Sequence, residues 1–133
     1  VMNTMNVTVR FAETDALGHV NNTSYFIYME DARLHLLKEL GWNTSHKDWS
    51  FVLVSTKCDF INQAYFDQIL RIDTSIQKVG TKSFQLSHDI LCAQTGTVIA
   101  RGHAVIAFYN KEEKLSEPIP YDLKEKLLTY MNA

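Results

Sequence analysis

Within the first forty residues the hydrophobic period changes, and that change restricts the possible folds more than any other feature. Residues 5–11 alternate, with Met5, Val7, Val9 and Phe11 set against Asn6, Thr8 and Arg10. A period of two marks a half-buried strand, because successive side chains point to opposite faces. From Thr23 to Leu40 the apolar residues recur every three or four positions: Tyr25, Met29, Ala32, Leu36 and Leu40. That spacing draws one stripe down a long helix. Ile27 and Leu34 lie off the stripe, which predicts that the helix is covered on a second side as well. Asn22 or Thr23 can cap its first turn by accepting from an unpaired backbone N–H. Gly41 suits a left-handed stop at its end. Glu30 and Arg33, three apart, can pair across one turn.

After the helix the pattern returns to strands. Residues 50–61 form a long candidate containing Phe51 and Leu53, and 69–78 follows with Ile72, Thr74 and Ile76. Val79-Gly80-Thr81 is a turn into 83–91, where Phe84, Leu86, His88 and Ile90 alternate with polar residues. Gln94-Thr95-Gly96 is a turn into 98–109, and 110–114 is a charged turn. A terminal helix over 121–131 carries Leu123, Leu127 and Leu128 on one side. Three of these strands follow one another through short turns, so they should form an antiparallel meander. A helix placed after the first strand must bury its stripe on one face of that sheet. The expected fold is α+β, a long central helix wrapped by a five-stranded, mainly antiparallel sheet, built as a single domain over 1–133.

Composition narrows the function classes. The hydrophobic fraction of 46% can build a core. A net charge of −2 gives no global basic field for nucleic acid, although a local patch could still hold a phosphorylated ligand. Cys58 and Cys92 lie in apolar stretches without metal-type spacing, and read as buried thiols of a reducing compartment. No apolar run is long enough for a membrane span, and residues 1–8 do not resemble a signal peptide, so the expected location is cytoplasmic. His35, His46, His88 and His103 show no metal-ligand spacing, and no metal or cofactor is expected.

The chemistry concentrates between the first strand and the helix, where Asp15, Gly18, His19, Asn21 and Asn22 interrupt both periods. Asp15 can make an Asx turn toward Gly18. A carboxylate beside a helix start can equally serve as nucleophile or general base. Unpaired N–H groups at the helix start near Asn22 can cap the chain end or stabilise a developing oxyanion. His19 is either a structural loop histidine or a proton carrier near neutral pH.

As a set, Arg10-Phe11-x-x-x-Asp15-x-x-Gly18-His19-Val20-Asn21-Asn22-x-x-Tyr25 followed by Glu30-x-Ala32-Arg33 resembles the hot-dog-fold thioesterases of the 4-hydroxybenzoyl-CoA thioesterase family. Gly80-Thr81-Lys82-Ser83-Phe84 and Pro118-Ile119-Pro120 extend the likeness over nearly the whole chain. The run from Asp15 to Asn22 also looks like the Asp-x-x-x-His-Val-Asn-Asn run of plant acyl-ACP thioesterases. Some bacterial hot-dog thioesterases carry a histidine seven residues after the aspartate, where this chain has Asn22.

The resemblance implies an acyl-CoA thioesterase, with an acyl-ACP thioesterase or a non-catalytic acyl-binding protein as alternatives. It implies Asp15 as nucleophile or general base, with the N–H near Asn22 as oxyanion donor. His19 and Asn21 lie between them. It further implies a homodimer or homotetramer, sheets joined edge to edge, with sites at the subunit interface. Tyr25 is a candidate for the acyl channel, with core packing as its plainer role; Phe26, Met29 and Phe60 could also shape the channel. Lys82 and Ser83 are candidates for the CoA phosphates, along with Lys57, Lys78 and Arg101, each of which could equally be ordinary surface charge.

Overall fold

The computed structural model of the chain describes residues 2–42 and 50–131, so His46 lies outside the described residues. In chain order the elements are β1 (Asn3–Thr8), a 3-10 turn (Phe11–Glu13), α1 (Asn22–Glu39), β2 (Phe51–Phe60), β3 (Ile69–Val79), β4 (Ser83–Cys92), β5 (Val98–Asn110), β6 (Leu115–Ser116) and α2 (Tyr121–Leu128). The main sheet runs β1-β3-β4-β5-β2 with every pairing antiparallel, and the two-residue β6 adds to β5. This is the expected α+β hot-dog arrangement, with α1 packed on the sheet. The meander β3-β4-β5 forms as its short turns predict. The sixth strand is an addition to the five expected, too short to show a period.

Most boundaries agree with the hydrophobic pattern to within one or two residues; the first strand and the terminal helix differ more. The first strand ends at Thr8 rather than at residue 11. Glu13 turns the chain there: its carboxylate accepts from the Arg10 N–H at 2.8 Å and from the Arg10 guanidinium. Phe11 is consequently 76% exposed instead of buried, resting edge-on against Phe66. The terminal helix stops at Leu128, and Met131 instead bridges to Ile76. Of the two thiols expected in the interior, Cys92 is buried and Cys58 is only half-buried.

The α1 stripe is buried as its spacing predicts: Tyr25, Met29, Ala32, Leu36 and Leu40 are all at most 4% exposed. Gly41 has φ +104, and the Trp42 N–H reaches back to the Leu37 carbonyl at 2.9 Å, which ends the helix by a left-handed residue. The cap at the other end is Asn21, not Asn22 or Thr23. Its Oδ1 accepts from the Thr23 N–H at 3.1 Å, so Asn22 becomes the first helical residue. The second apolar face is not covered: Ile27 and Leu34 are exposed. Nor do Glu30 and Arg33 form an ion pair among the described residues. Arg33 turns inward and is buried, whereas Glu30 stays exposed.

A polar row divides the interior. Asn3, Thr74, His88, Gly102 and Cys58 are successive cross-strand partners over five strands. Thr74 Oγ1 and His88 Nδ1 lie 2.8 Å apart, and Asn3 Oδ1 meets His35 Nδ1 at 2.7 Å. On one side of the row sits a hydrophobic cluster around Val9, Val20, Tyr25, Met29, Ile72 and Ile90. On the other, Leu36, Ile76, Phe84, Leu86 and Ile106 are closed over by Leu123 and Leu127 of α2. Gly102 lets α1 approach the sheet here, since a Cβ at that position would collide with Met29 Sδ.

β2 is an edge strand. Among the described residues its only sheet partner is β5, and Val52, Leu53 and Val54 are 41–60% exposed. Neither helix of the described residues is long and apolar enough to cross a membrane.

Candidate active site

The loop between β1 and α1 is braced from beneath by Glu13. This buried carboxylate accepts from Arg10 and from the Tyr28 hydroxyl of α1 at 2.9 Å. Burial pulls its pKa up, but the donors outweigh that and leave it lowered. The Glu13 carbonyl accepts from the Asn21 N–H at 2.8 Å and from the Ser24 hydroxyl at 3.0 Å. One residue thus ties the strand exit to the helix start. Nothing in the local pattern singles it out, because Glu13 three residues after Arg10 looks like an ordinary surface pair.

Asp15 makes the Asx turn. Its Oδ1 accepts from the N–H groups of Leu17 at 2.8 Å and His19 at 3.1 Å. The side chain is thereby held in one orientation, and its second oxygen has no hydrogen bond among the described residues. Gly18 completes the turn at φ +80, a conformation that glycine adopts without penalty. The turn and the catalytic reading are therefore compatible: one oxygen orients and the other is left over.

The helix start supplies the second element. With Asn21 as cap, the N–H of Thr23 is satisfied by Asn21 Oδ1 and that of Ser24 by the Asn21 carbonyl. The Asn22 N–H makes no hydrogen bond among the described residues. It is an unpaired donor at the positive end of an 18-residue helix.

Asp15, His19, Asn22 and Tyr25 come together around one cavity of about 490 Å³. Leu17, Val20, Phe60, Ile61, Asn62 and Gln63 complete its wall. The last three directly follow β2, whose sequence carries no alternation that could have marked them. His19 is fixed by a backbone bridge to Tyr65 and an edge-on ring contact at 5.3 Å. Tyr25 is 3% exposed and packs against Tyr28 and Phe60. Burial pushes its hydroxyl up to about 12, and the hydroxyl has no hydrogen-bond partner among the described residues. Tyr25 therefore packs in the core and also lines the cavity.

Three candidates lie elsewhere or act differently. The Asn21 side chain serves the helix cap and does not line the cavity. Lys82 and Ser83 sit at the beginning of β4, whereas the cavity adjoins the end of the sheet where Asn62 bonds the Val98 carbonyl. The ten-residue β4 separates those ends by roughly 30 Å. Within one chain these two residues cannot share a small ligand with Asp15. Among the described residues no three His, Cys, Asp or Glu side chains gather as a metal-ligand group.

Comparison with known proteins agrees with the fold. The model of the thioesterase-like superfamily matches residues 9–127. The uncharacterized protein YsmA of Bacillus subtilis is 38% identical over 82 residues; that match spans 62% of this chain and 56% of YsmA. The long-chain acyl-CoA thioesterase FadM of Escherichia coli is 30% identical over 126 residues, 91% of this chain and 93% of FadM. Among solved structures, a predicted thioesterase from Bacillus stearothermophilus superposes with a TM-score of 0.92 at 32% identity, covering 99% of this chain and 98% of the other.

Proposed function

Since this chain belongs to the thioesterase-like superfamily, a family of thioester hydrolases, we propose that it hydrolyses acyl-CoA to the free acid and CoA at the cavity shared by Asp15 and Asn22. The observation that carries the reading is the pairing of an oriented carboxylate with an unpaired helix-start N–H on one cavity wall. The similarity to FadM supports the CoA carrier.

The chemistry follows from where charge develops. As the thioester carbonyl carbon is attacked, its oxygen becomes negative. The Asn22 N–H, reinforced by the helix dipole, donates to that oxygen. Asp15 acts on the carbon, either directly through its free oxygen or by taking a proton from an attacking water. Collapse of the intermediate breaks the C–S bond and releases the thiol. The direct route passes through an acyl-aspartate anhydride, which water then opens to regenerate the carboxylate. His19, half-exposed at the cavity wall, is placed to relay protons with solvent.

The functional unit in this reading is a cytoplasmic homodimer, each chain one domain. β2 offers its outer edge and the exposed Val52, Leu53 and Val54 to a second copy. Such a dimer would cover the Ile27 face of α1 and close the cavity between subunits. Lys82 and Ser83 could then meet the CoA phosphates of another subunit's site.

The assay is thiol release over short, long and aromatic acyl-CoAs, with matched acyl-ACPs alongside. Turnover on CoA esters is the expected result. Turnover on ACP esters alone would assign the acyl-ACP reading, and ligand-dependent thermal stabilisation without any thiol release would assign a binding protein.

A further inference from the structure

Among the described residues Arg33 is a buried cation without a counter-ion. The residue is 7% exposed, its Nη1 is buried with no hydrogen-bond partner, and no carboxylate pairs with it among the described residues. A buried charge in that state is costly unless something else completes it. His88 Nε2 is another buried polar atom without a partner among the described residues, near enough to feel the Arg33 charge. Arg33 lines a cavity of about 140 Å³ with Phe26, Ile27, Glu30, Leu53 and Thr56. This hollow lies in the seam between α1 and β2.

The same seam begins at the candidate active site. Asn22 and Tyr25 of α1 and Phe60 of β2 wall the larger cavity. Phe60 also packs edge-on against Phe26, which walls the smaller one, so this ring pair stands between the two spaces. Along the helix, Glu30 and Arg33 lie roughly 12–16 Å beyond Asn22 at 1.5 Å per residue. An acyl chain that has its carbonyl at the Asn22 N–H and follows this seam past the aromatic pair would bring its far end to the polar hollow.

We propose that this seam selects a medium-length acyl chain bearing a hydroxyl at its far end, received by Arg33 and Glu30. This rests on the thioesterase reading and names its substrate class. The chemistry of the hollow favours a hydroxyl over its competitors. A bare methyl offers the Arg33 guanidinium no acceptor. A terminal carboxylate meets Glu30 as well as Arg33. A hydroxyl accepts from the guanidinium and donates to the Glu30 carboxylate, satisfying both.

The test compares kcat/KM for lauroyl-CoA and its ω-hydroxylated counterpart, by thiol release, in the wild type, Arg33→Met and Glu30→Gln. The wild type should prefer the hydroxylated ester by about tenfold or more, the contribution of one hydrogen bond to a charged group. Arg33→Met, checked for folding by circular dichroism, should bring the ratio near one. Glu30 is exposed, so its variant keeps the fold, and the ratio should fall several-fold. Equal wild-type rates on the two esters, or a preference that survives in a folded Arg33→Met protein, would overturn the inference and leave the thioesterase reading standing. No thiol release from any acyl-CoA would overturn the thioesterase reading itself.

Discussion

His88 shows what a single buried group does to the whole. Burial, helped by the nearby charges of Arg33 and His103, holds its pKa down to about 3 against an ordinary 6.5. As pH falls through 6.5 the unfolded chain takes up a proton that the folded core refuses. The stability is therefore complete above that value and drains away toward about pH 3. Between pH 7 and pH 5 this one residue should cost about 2 kcal/mol. Urea melts at the two pH values should show that loss in the wild type. In His88→Gln the pH-dependent loss should be smaller by a similar amount, whatever its stability at pH 7. Alternation alone puts His88 on the buried face of β4. The interrupted periods also single out Asp15, His19 and Asn22, and these do share one cavity with Tyr25. Glu13 escapes such reasoning, because a carboxylate three residues from an arginine looks the same whether it lies on the surface or under a loop. Lys82 and Ser83 stand apart from Asp15 by the length of a strand, a distance that no local spacing reveals.

At the scale of the element, α1 is a scaffold and, in the proposed reaction, a reagent as well. Its cap decides where the helix begins, and so which N–H is left unpaired. Asn21→Ala removes the side-chain acceptor for the Thr23 N–H and should cost about 1 kcal/mol, read as a lowered melting temperature. Because the loosened first turn carries the Asn22 donor, kcat on a reactive acyl-CoA should fall about tenfold with KM little changed. A stability loss with kcat intact would separate the cap from the chemistry. The buried stripe of α1 is legible in the sequence because five apolar positions at steps of three and four fit a helix face and no strand. Which of Asn21, Asn22 and Thr23 caps is not, since all three are good caps and the choice depends on where the Glu13 carbonyl anchors the chain. The uncovered face at Ile27 and Leu34 reads as interior in the sequence for a related reason: apolar residues announce burial without saying what buries them.

For the whole molecule the uncovered apolar surface is the point of departure. The order β1-β3-β4-β5-β2 places the second strand at an edge, beside the exposed face of α1. That order is not legible, because strand partners far apart in sequence leave no local trace, whereas the β3-β4-β5 meander leaves one in its short turns. A charge on the edge should keep two copies apart: Val54→Glu is expected to shift the protein from dimer to monomer in light scattering and to abolish thiol release. An active, dimeric Val54→Glu protein would place the interface elsewhere. In the proposed reaction the oriented Asp15 carboxylate, sharing a cavity with the unpaired Asn22 N–H, cleaves a thioester. Asp15→Asn retains an Oδ1 that can accept from Leu17 and His19, so loop and fold should persist. The deciding measurement is thiol release by wild type and Asp15→Asn on the best acyl-CoA, at matched folding and assembly. A loss of about 10³-fold is predicted; turnover within a few-fold of wild type would contradict the account.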